Sequence, residues 1–228
     1  MTAASPSIRD HWNAIETHLA RLAPAVLKSL RPGASERSLQ TLEKRLGFPL
    51  PADLRQSLAI HDGQLPKLKY PAGKGGRLGW AWFFDSEHLL PVEGITRFWT
   101  SMNDLAKDDL FDVWRGAWPG LRKDSQIRHA SYWNPKWIPI TNAEGDGFCV
   151  DMDPSPRGNL GQVFYFCRGD HWPRADGVVP WRVLAPSYAA WLNGIAQLLA
   201  DTCLQPSTDG RRVVSEPKGI VFKRLLGK

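Results

Sequence analysis

Three carboxylates fall close together in this chain, Asp146, Asp151 and Asp153. A trio of that kind could hold a divalent ion or divide general acid and base work. Their settings argue for a plainer role. Asp146 lies in a turn between Gly145 and Gly147 and Asp153 precedes Pro154, positions at which Asp side chains commonly bond their own backbone. Asp151 and Asp153 are two residues apart, so on a strand they share one face and form an acidic edge. A metal-assisted hydrolase built on all three is the chemical alternative, and it predicts divalent-metal binding lost in Asp151→Asn.

The remaining candidates for chemistry are weaker. His11 and His18 are seven apart in a helical segment with no cysteine or third ligand nearby, and His61, His88, His129 and His171 are scattered, which is not a zinc pattern. Gly73-Lys74-Gly75-Gly76 lacks the spaced glycine, the hydroxyl and the following helix of a phosphate-binding loop. No Gly-x-Ser-x-Gly elbow occurs. The sequence therefore reads as non-enzymatic, with no metal, no cofactor and no small-molecule substrate.

The elements that would position these residues follow from periodicity and turn chemistry. Ile8, Trp12, Ile15, Leu19, Leu22 and Val26 mark one face of an N-terminal helix that Pro24 should bend or divide. Ser35 can cap a second helix with Leu39, Leu42 and Leu46 inward and Gly47 at its end. Pro51 and Asp53 open a third that stops at Asp62-Gly63. An aromatic strand through Trp80, Trp82 and Phe84 precedes a short strand at Leu89-Leu90 and a helix over roughly 92–105. Strands near 137–140, 147–152 and 162–167 follow, the last two forming an antiparallel hairpin because Pro154 and Pro156 reject continued pairing between them. Tyr188, Trp191, Leu192, Ile195, Leu198 and Leu199 define a closing apolar helix.

These features resemble the SUKH superfamily, the Smi/Knr group of cell-wall regulators and bacterial immunity proteins. Leu46-Gly47, Leu50-Pro51 and Asp62-Gly63 stand in the order of its helix, turn, helix unit. In the second half, Trp137-Ile-Pro-Ile-Thr leads to Gly145-Asp146, a strand ending in Asp151, and then Gly161-Gln-Val. The resemblance covers about 35–201. It implies an α+β domain: a mixed, mainly antiparallel sheet with packed helices, here with a helical N-terminal extension over 1–33, the SUKH-like domain over 34–203 and a basic tail over 204–228.

Composition agrees with a binder. The chain has 228 residues, 43% of them hydrophobic, enough for a sizeable core. No window approaches a membrane span and the first residues lack a basic segment followed by an apolar one, so a cytoplasmic protein without membrane partners is expected. Cys149, Cys167 and Cys203 form no Cys-x-x-Cys pair and read as reduced, buried thiols, although Cys149 and Cys167 could face each other if the strand register allows it. A net charge of +6 suits an acidic partner. The cations are dispersed, which argues against direct nucleic-acid binding.

The resemblance implies a partner as well. Bacterial members commonly act as immunity proteins that neutralise a cognate toxin, and fungal members act as regulatory adaptors of cell-wall synthesis or stress signalling; immunity is the favoured expectation. Eleven tryptophans suggest interface anchors. The partner-binding residues expected are Trp80, Trp82, Asp146, Asp151, Asp153, Trp172, Arg174 and Asp176, gathered at strand ends and adjoining loops.

Overall fold

Ser7 begins the first helix by accepting a hydrogen bond from the Asp10 amide while Asp10 returns one from the Ser7 amide, a capping box that satisfies donors otherwise left open. The computed structural model describes residues 6–65, 67–69, 78–80, 83, 87–107, 125–128, 133–166, 183–200, 204–206 and 213–215, with backbone alone at 67–69, 78–80, 204–206 and 213–215. Helix α1 (Ile8–Leu22) stops at Ala23, and Pro24 opens a separate α2 (Pro24–Ser29), the division its ring dictates. α3 (Glu36–Leu46) is capped by Ser35 and closed by Gly47 at φ 82°, where glycine takes the left-handed conformation without a Cβ clash. α4 (Ala52–Ile60) follows, with Pro51 at the N-cap rather than inside the first turn.

Two aspartates of this segment act at a distance. Asp53 accepts from the Leu54 amide with one oxygen and from the Ala189 amide with the other, so one carboxylate serves the positive ends of two helices. Asp62 accepts from Val92 N at 2.7 Å and thereby caps α5 (Val92–Leu105), whose own N-cap, Pro91, has no side-chain acceptor. Gly63, at φ 64°, is required here: a Cβ would come within 2.3 Å of Pro91 N.

The strands are β1 (Lys67–Lys69), β2 (Leu78–Trp80), β3 (His88–Leu89), β4 (Trp137–Pro139), β5 (Thr141–Asn142), β6 (Gly147–Asp151), β7 (Gln162–Phe166), β8 (Val183–Ala185), β9 (Leu204–Pro206) and β10 (Val213–Ser215), with α6 (Tyr188–Ala200) between β8 and β9. A four-stranded sheet has the order β4-β6-β7-β8, and β1-β2, β3-β5 and β9-β10 form two-stranded pairs. Every named pair is antiparallel; the parallel element is a bridge between Glu144 and Asp146. This is the expected α+β architecture.

Both faces of the four-stranded sheet are buried, and the two-residue strand period sorts side chains between two cores. Ile138, Phe148, Val150 and Val163 point into a large core with α1, α3, α4 and α6. Trp137, Cys149, Phe164 and Phe166 point into an aromatic cluster with Trp133, Ile127 and Met102. Rings meet edge to face there, Trp133 with Trp137 at 5.6 Å and with Phe166 at 5.3 Å between centroids, a geometry that adds to area burial. Trp12, Trp133, Trp137 and Trp191 are all buried. Trp12 and Trp191 lie in the large core and Trp133 and Trp137 in the aromatic cluster, so these four fill two cores rather than an interface.

The first helix does not stand apart. α1 lies against α6 and α4, and Trp12 Nε1 donates at 2.9 Å to Ser57 Oγ, which is 2.9 Å from the Tyr188 hydroxyl. Burial raises the Tyr188 phenol's pKa. Side chains of α1 and α2 therefore lie in the same core as those of α3, α4 and α6. Register decides the cysteine question for Cys149, which lies opposite Phe164, is buried and is free; burial pushes its thiol well up. Among the described residues no helix is long and apolar enough to cross a membrane.

Candidate functional site

β6 decides what the three carboxylates can do. Asp146 precedes its first residue, in a turn where Ala143 and Asp146 exchange backbone hydrogen bonds of 2.7 and 3.0 Å; Glu144 is left-handed there at φ 56°. Asp151 is its last residue. At ~3.3 Å per residue the two ends are about 16 Å apart, so Asp146 cannot join Asp151 and Asp153 around one ion. Among the described residues no group of three His, Cys, Asp or Glu is placed to hold a metal. The hydrolase alternative, which needs all three together, is overturned by this separation.

Asp151 is fully buried. Its Oδ1 accepts from the Asp153 amide at 2.9 Å, its Oδ2 from Gln162 Nε2 at 2.9 Å, and its backbone oxygen from Gly161 N at 2.8 Å. Burial raises its pKa above the usual carboxylate range, opposed by hydrogen bonds from the Asp153 backbone, Gln162 and Trp137, while the Asp153 charge adds to the rise. A carboxylate so enclosed is a clamp. The acidic edge expected from the spacing of Asp151 and Asp153 does not form: Asp151 turns inward, and its oxygen bonds the Asp153 backbone.

Gln162 is equally buried and completes the clamp. Its Nε2 donates to Gln126 O at 3.0 Å as well as to Asp151, and its Oε1 accepts from Asn159 N at 3.1 Å. Those partners fix which way the amide points, because a flipped amide would oppose donor to donor and acceptor to acceptor.

The loop over 152–161 is held between this clamp and the segment 125–128. Ser155 N donates to Gln126 O at 3.1 Å, Ser155 Oγ to Ser125 O at 2.5 Å, and Arg128 Nη2 to Pro154 O at 3.2 Å. Asp153 is bridged by Arg128 Nε at 3.1 Å and by Asn134 Nδ2 at 3.0 Å. A Cβ on Gly158 would approach Gln126 O to 2.2 Å, so the two segments touch at a point only glycine permits. On this braced support Arg157 is exposed and Leu160 is 67% exposed.

An exposed aliphatic side chain on a loop whose backbone is already fixed loses little conformational freedom when a partner covers it, which favours recognition. The tip offers an apolar point flanked by cations and one shared carboxylate. It carries no nucleophile beside a base.

Of the residues expected at a contact surface, Asp153 lies at this tip with its side chain 38% exposed. Asp151 supports the tip from beneath, and Asp146 lies at the opposite end of β6. Trp82, Trp172, Arg174 and Asp176 lie outside the described residues, and Trp80 is described by its backbone in β2 alone; the glycine-lysine loop at 73–76, Cys167, Cys203 and most of the tail are outside them as well. Sequence reasoning passed over Arg128, Gln162, Arg157 and Leu160. Gln162 carried a usable signal, a polar residue at the start of the apolar run Val163-Phe164-Tyr165-Phe166, where burial requires a hydrogen-bonded partner. Leu160 carried none, since a leucine between turn residues has no period.

The model of the SMI1 / KNR4 family (SUKH-1) matches residues 33–194. A glucan synthesis regulatory protein of Neurospora crassa is 27% identical over 192 residues, covering 71% of this chain and 34% of that protein. F-box only protein 3 of Homo sapiens is 36% identical over 189 residues, covering 82% of this chain and 33% of that protein. The cell wall biosynthesis/cell cycle regulator smi1 of Schizosaccharomyces pombe is 27% identical over 173 residues, covering 72% and 32%. The chain thus spans about a third of the length of these relatives. It belongs to the SMI1/KNR4 family.

Proposed function

We propose that this SUKH-1 chain is a non-enzymatic protein-recognition module serving a regulatory adaptor, with the tip of the β6–β7 hairpin as a contact surface. The observation that carries the reading is the bracing of that tip: a buried Asp151–Gln162 clamp and four contacts from 125–128 hold a loop that presents Leu160 at 67% exposure. A buried ionisable clamp is expensive to build, and here it fixes a surface instead of a reaction centre. Two relatives bear the names of regulators of glucan synthesis and of cell wall biosynthesis, which supports a role in cell-wall synthesis.

Those names support the adaptor reading over toxin immunity, the reverse of the order drawn from sequence. Immunity keeps one supporting observation, the net charge of +6, which would speed association with an acidic toxin. Affinity capture from the native host separates the readings, with the wild-type chain and Leu160→Asp compared in parallel. An adaptor enriches several proteins and loses them with Leu160→Asp. Enrichment of a single growth-inhibiting protein, neutralised on co-expression, favours immunity; no enrichment by the wild type rejects recognition altogether.

A further inference from the structure

Among the described residues, four cations are answered by carboxylates. Arg31 pairs with Asp62 and Glu93, Arg55 with Glu36 and Glu43, Lys107 with Asp104, and Arg128 with Asp153. Arg45 and Lys136 differ. Both are exposed, and among the described residues neither makes an ion pair. Each is instead held by a neutral group on a neighbouring element: Arg45 Nη2 donates to Thr100 Oγ1 of α5 at 3.3 Å, and Lys136 Nζ sits 4.2 Å from the centroid of the Phe48 ring.

These contacts lie on one continuous face. Arg45 and Phe48 flank the α3 C-cap at Gly47, Thr100 is on α5, and Lys136 immediately precedes the edge strand β4. Trp99 Nε1, also from α5, donates to Pro135 O at 2.9 Å and ties α5 to the residue before Lys136. Phe48 and Trp99 are both half-buried, so aromatic surface lies beside the two cations. Asp104, one helical turn beyond Thr100, is engaged by Lys107 at 3.0 Å. Charge on the face is therefore positive, pre-positioned and not neutralised from within the described fold.

We propose that this face docks an acidic polypeptide segment carrying apolar side chains among its carboxylates. The carboxylates would pair with the Arg45 guanidinium and the Lys136 ammonium, and the apolar side chains would cover the exposed parts of Phe48 and Trp99. An arginine held by a neutral hydroxyl is free to form a two-pronged bond with a carboxylate without first giving up an ion pair. Cations beside aromatics also match what concentrates binding energy at protein interfaces. The proposal rests on the recognition reading above and names the class of partner.

The test uses the full chain and a fluorescein-labelled peptide of alternating glutamate and leucine, with binding read by anisotropy at low and physiological salt. Three variants are compared: wild type, Arg45→Glu with Lys136→Glu, and Arg9→Glu with Arg21→Glu on α1, which alters net charge equally. The expected result is saturable binding that weakens with salt, at least tenfold loss in the Arg45/Lys136 variant, and less than twofold change in the α1 variant. Circular dichroism of each variant checks that the fold is kept. If the Arg45/Lys136 variant fails to fold, Lys136→Gln replaces it, with a threefold or greater loss expected. Equal loss in both double variants, no binding by the wild type, or tighter binding of a labelled single-stranded oligonucleotide overturns the proposal. Host proteins retained by the wild type and equally by the Arg45/Lys136 variant would remove this face while leaving recognition standing; a wild type that retains none removes both.

Discussion

Replacing Asp151 by asparagine exchanges one carboxylate oxygen for an NH2 group where both oxygens accept. Oδ1 faces the Asp153 amide and Oδ2 faces Gln162 Nε2, each at 2.9 Å. Asparagine offers one acceptor, so one contact becomes donor against donor. Gln162 cannot relieve it by turning over, because its amide is held by Gln126 O and Asn159 N. A buried donor left without an acceptor costs about 1–3 kcal/mol. Removing a charge that burial disfavours returns part of that, leaving a net loss of roughly 1–2 kcal/mol at pH 7. Asp151→Ala leaves every donor open and creates a void, and should lose about 3–5 kcal/mol. Urea denaturation followed by tryptophan fluorescence measures both. The pH dependence carries a definite sign. Because the folded-state pKa of Asp151 is raised, the folded wild type binds more proton than the unfolded chain between the ordinary carboxylate range and that raised value. Wild-type stability relative to Asp151→Asn therefore rises as pH falls through that window, and the disadvantage is fully present above it. An asparagine variant as stable as wild type at pH 7, with a gap that does not widen in acid, would refute the clamp.

The bracing of the tip and the inter-helix network offer two further checks. Gly158→Ala should lower stability by about 2–4 kcal/mol, because its Cβ would sit 2.2 Å from Gln126 O; a melting temperature unchanged within error contradicts the close approach. Tyr188, whose phenol is raised by burial, should stay protonated in alkali while the chain is folded. Its contribution to stability is present below the ordinary phenol range and lost as pH rises above it. Absorbance titration of wild type against Tyr188→Phe checks this, and early ionisation of that phenol in the folded protein would contradict it.

The helices were legible because each carries its punctuation locally. Ser35 and Gly47 bound α3, Pro24 divides α1 from α2, and the apolar face of α6 recurs at helical spacing. The β6–β7 hairpin was legible from the two prolines between its strands. What escaped notice depends on residues far apart in sequence. That Asp62 caps α5 and Asp53 caps α6 follows from tertiary contact across 30 and 136 positions, and no local pattern encodes it. The tryptophan count suggested interface anchors, whereas Trp133 and Trp137 fill a second buried face of the sheet that the sequence does not reveal. Asp151 shows the same limit from the other side: its spacing from Asp153 suggested a shared acidic edge, and its place as the last residue of a buried central strand turned it inward.

Hydrogen exchange of the full chain, alone and with a protein captured from its host, tests the recognition surface most directly. The account predicts that amides over 152–161 gain protection on binding, and that Leu160→Asp abolishes both the protection and the binding while leaving exchange in β6 and β7 unchanged. Binding that leaves 152–161 unprotected, or that survives Leu160→Asp with the same affinity, would contradict the assignment of the hairpin tip as the contact surface.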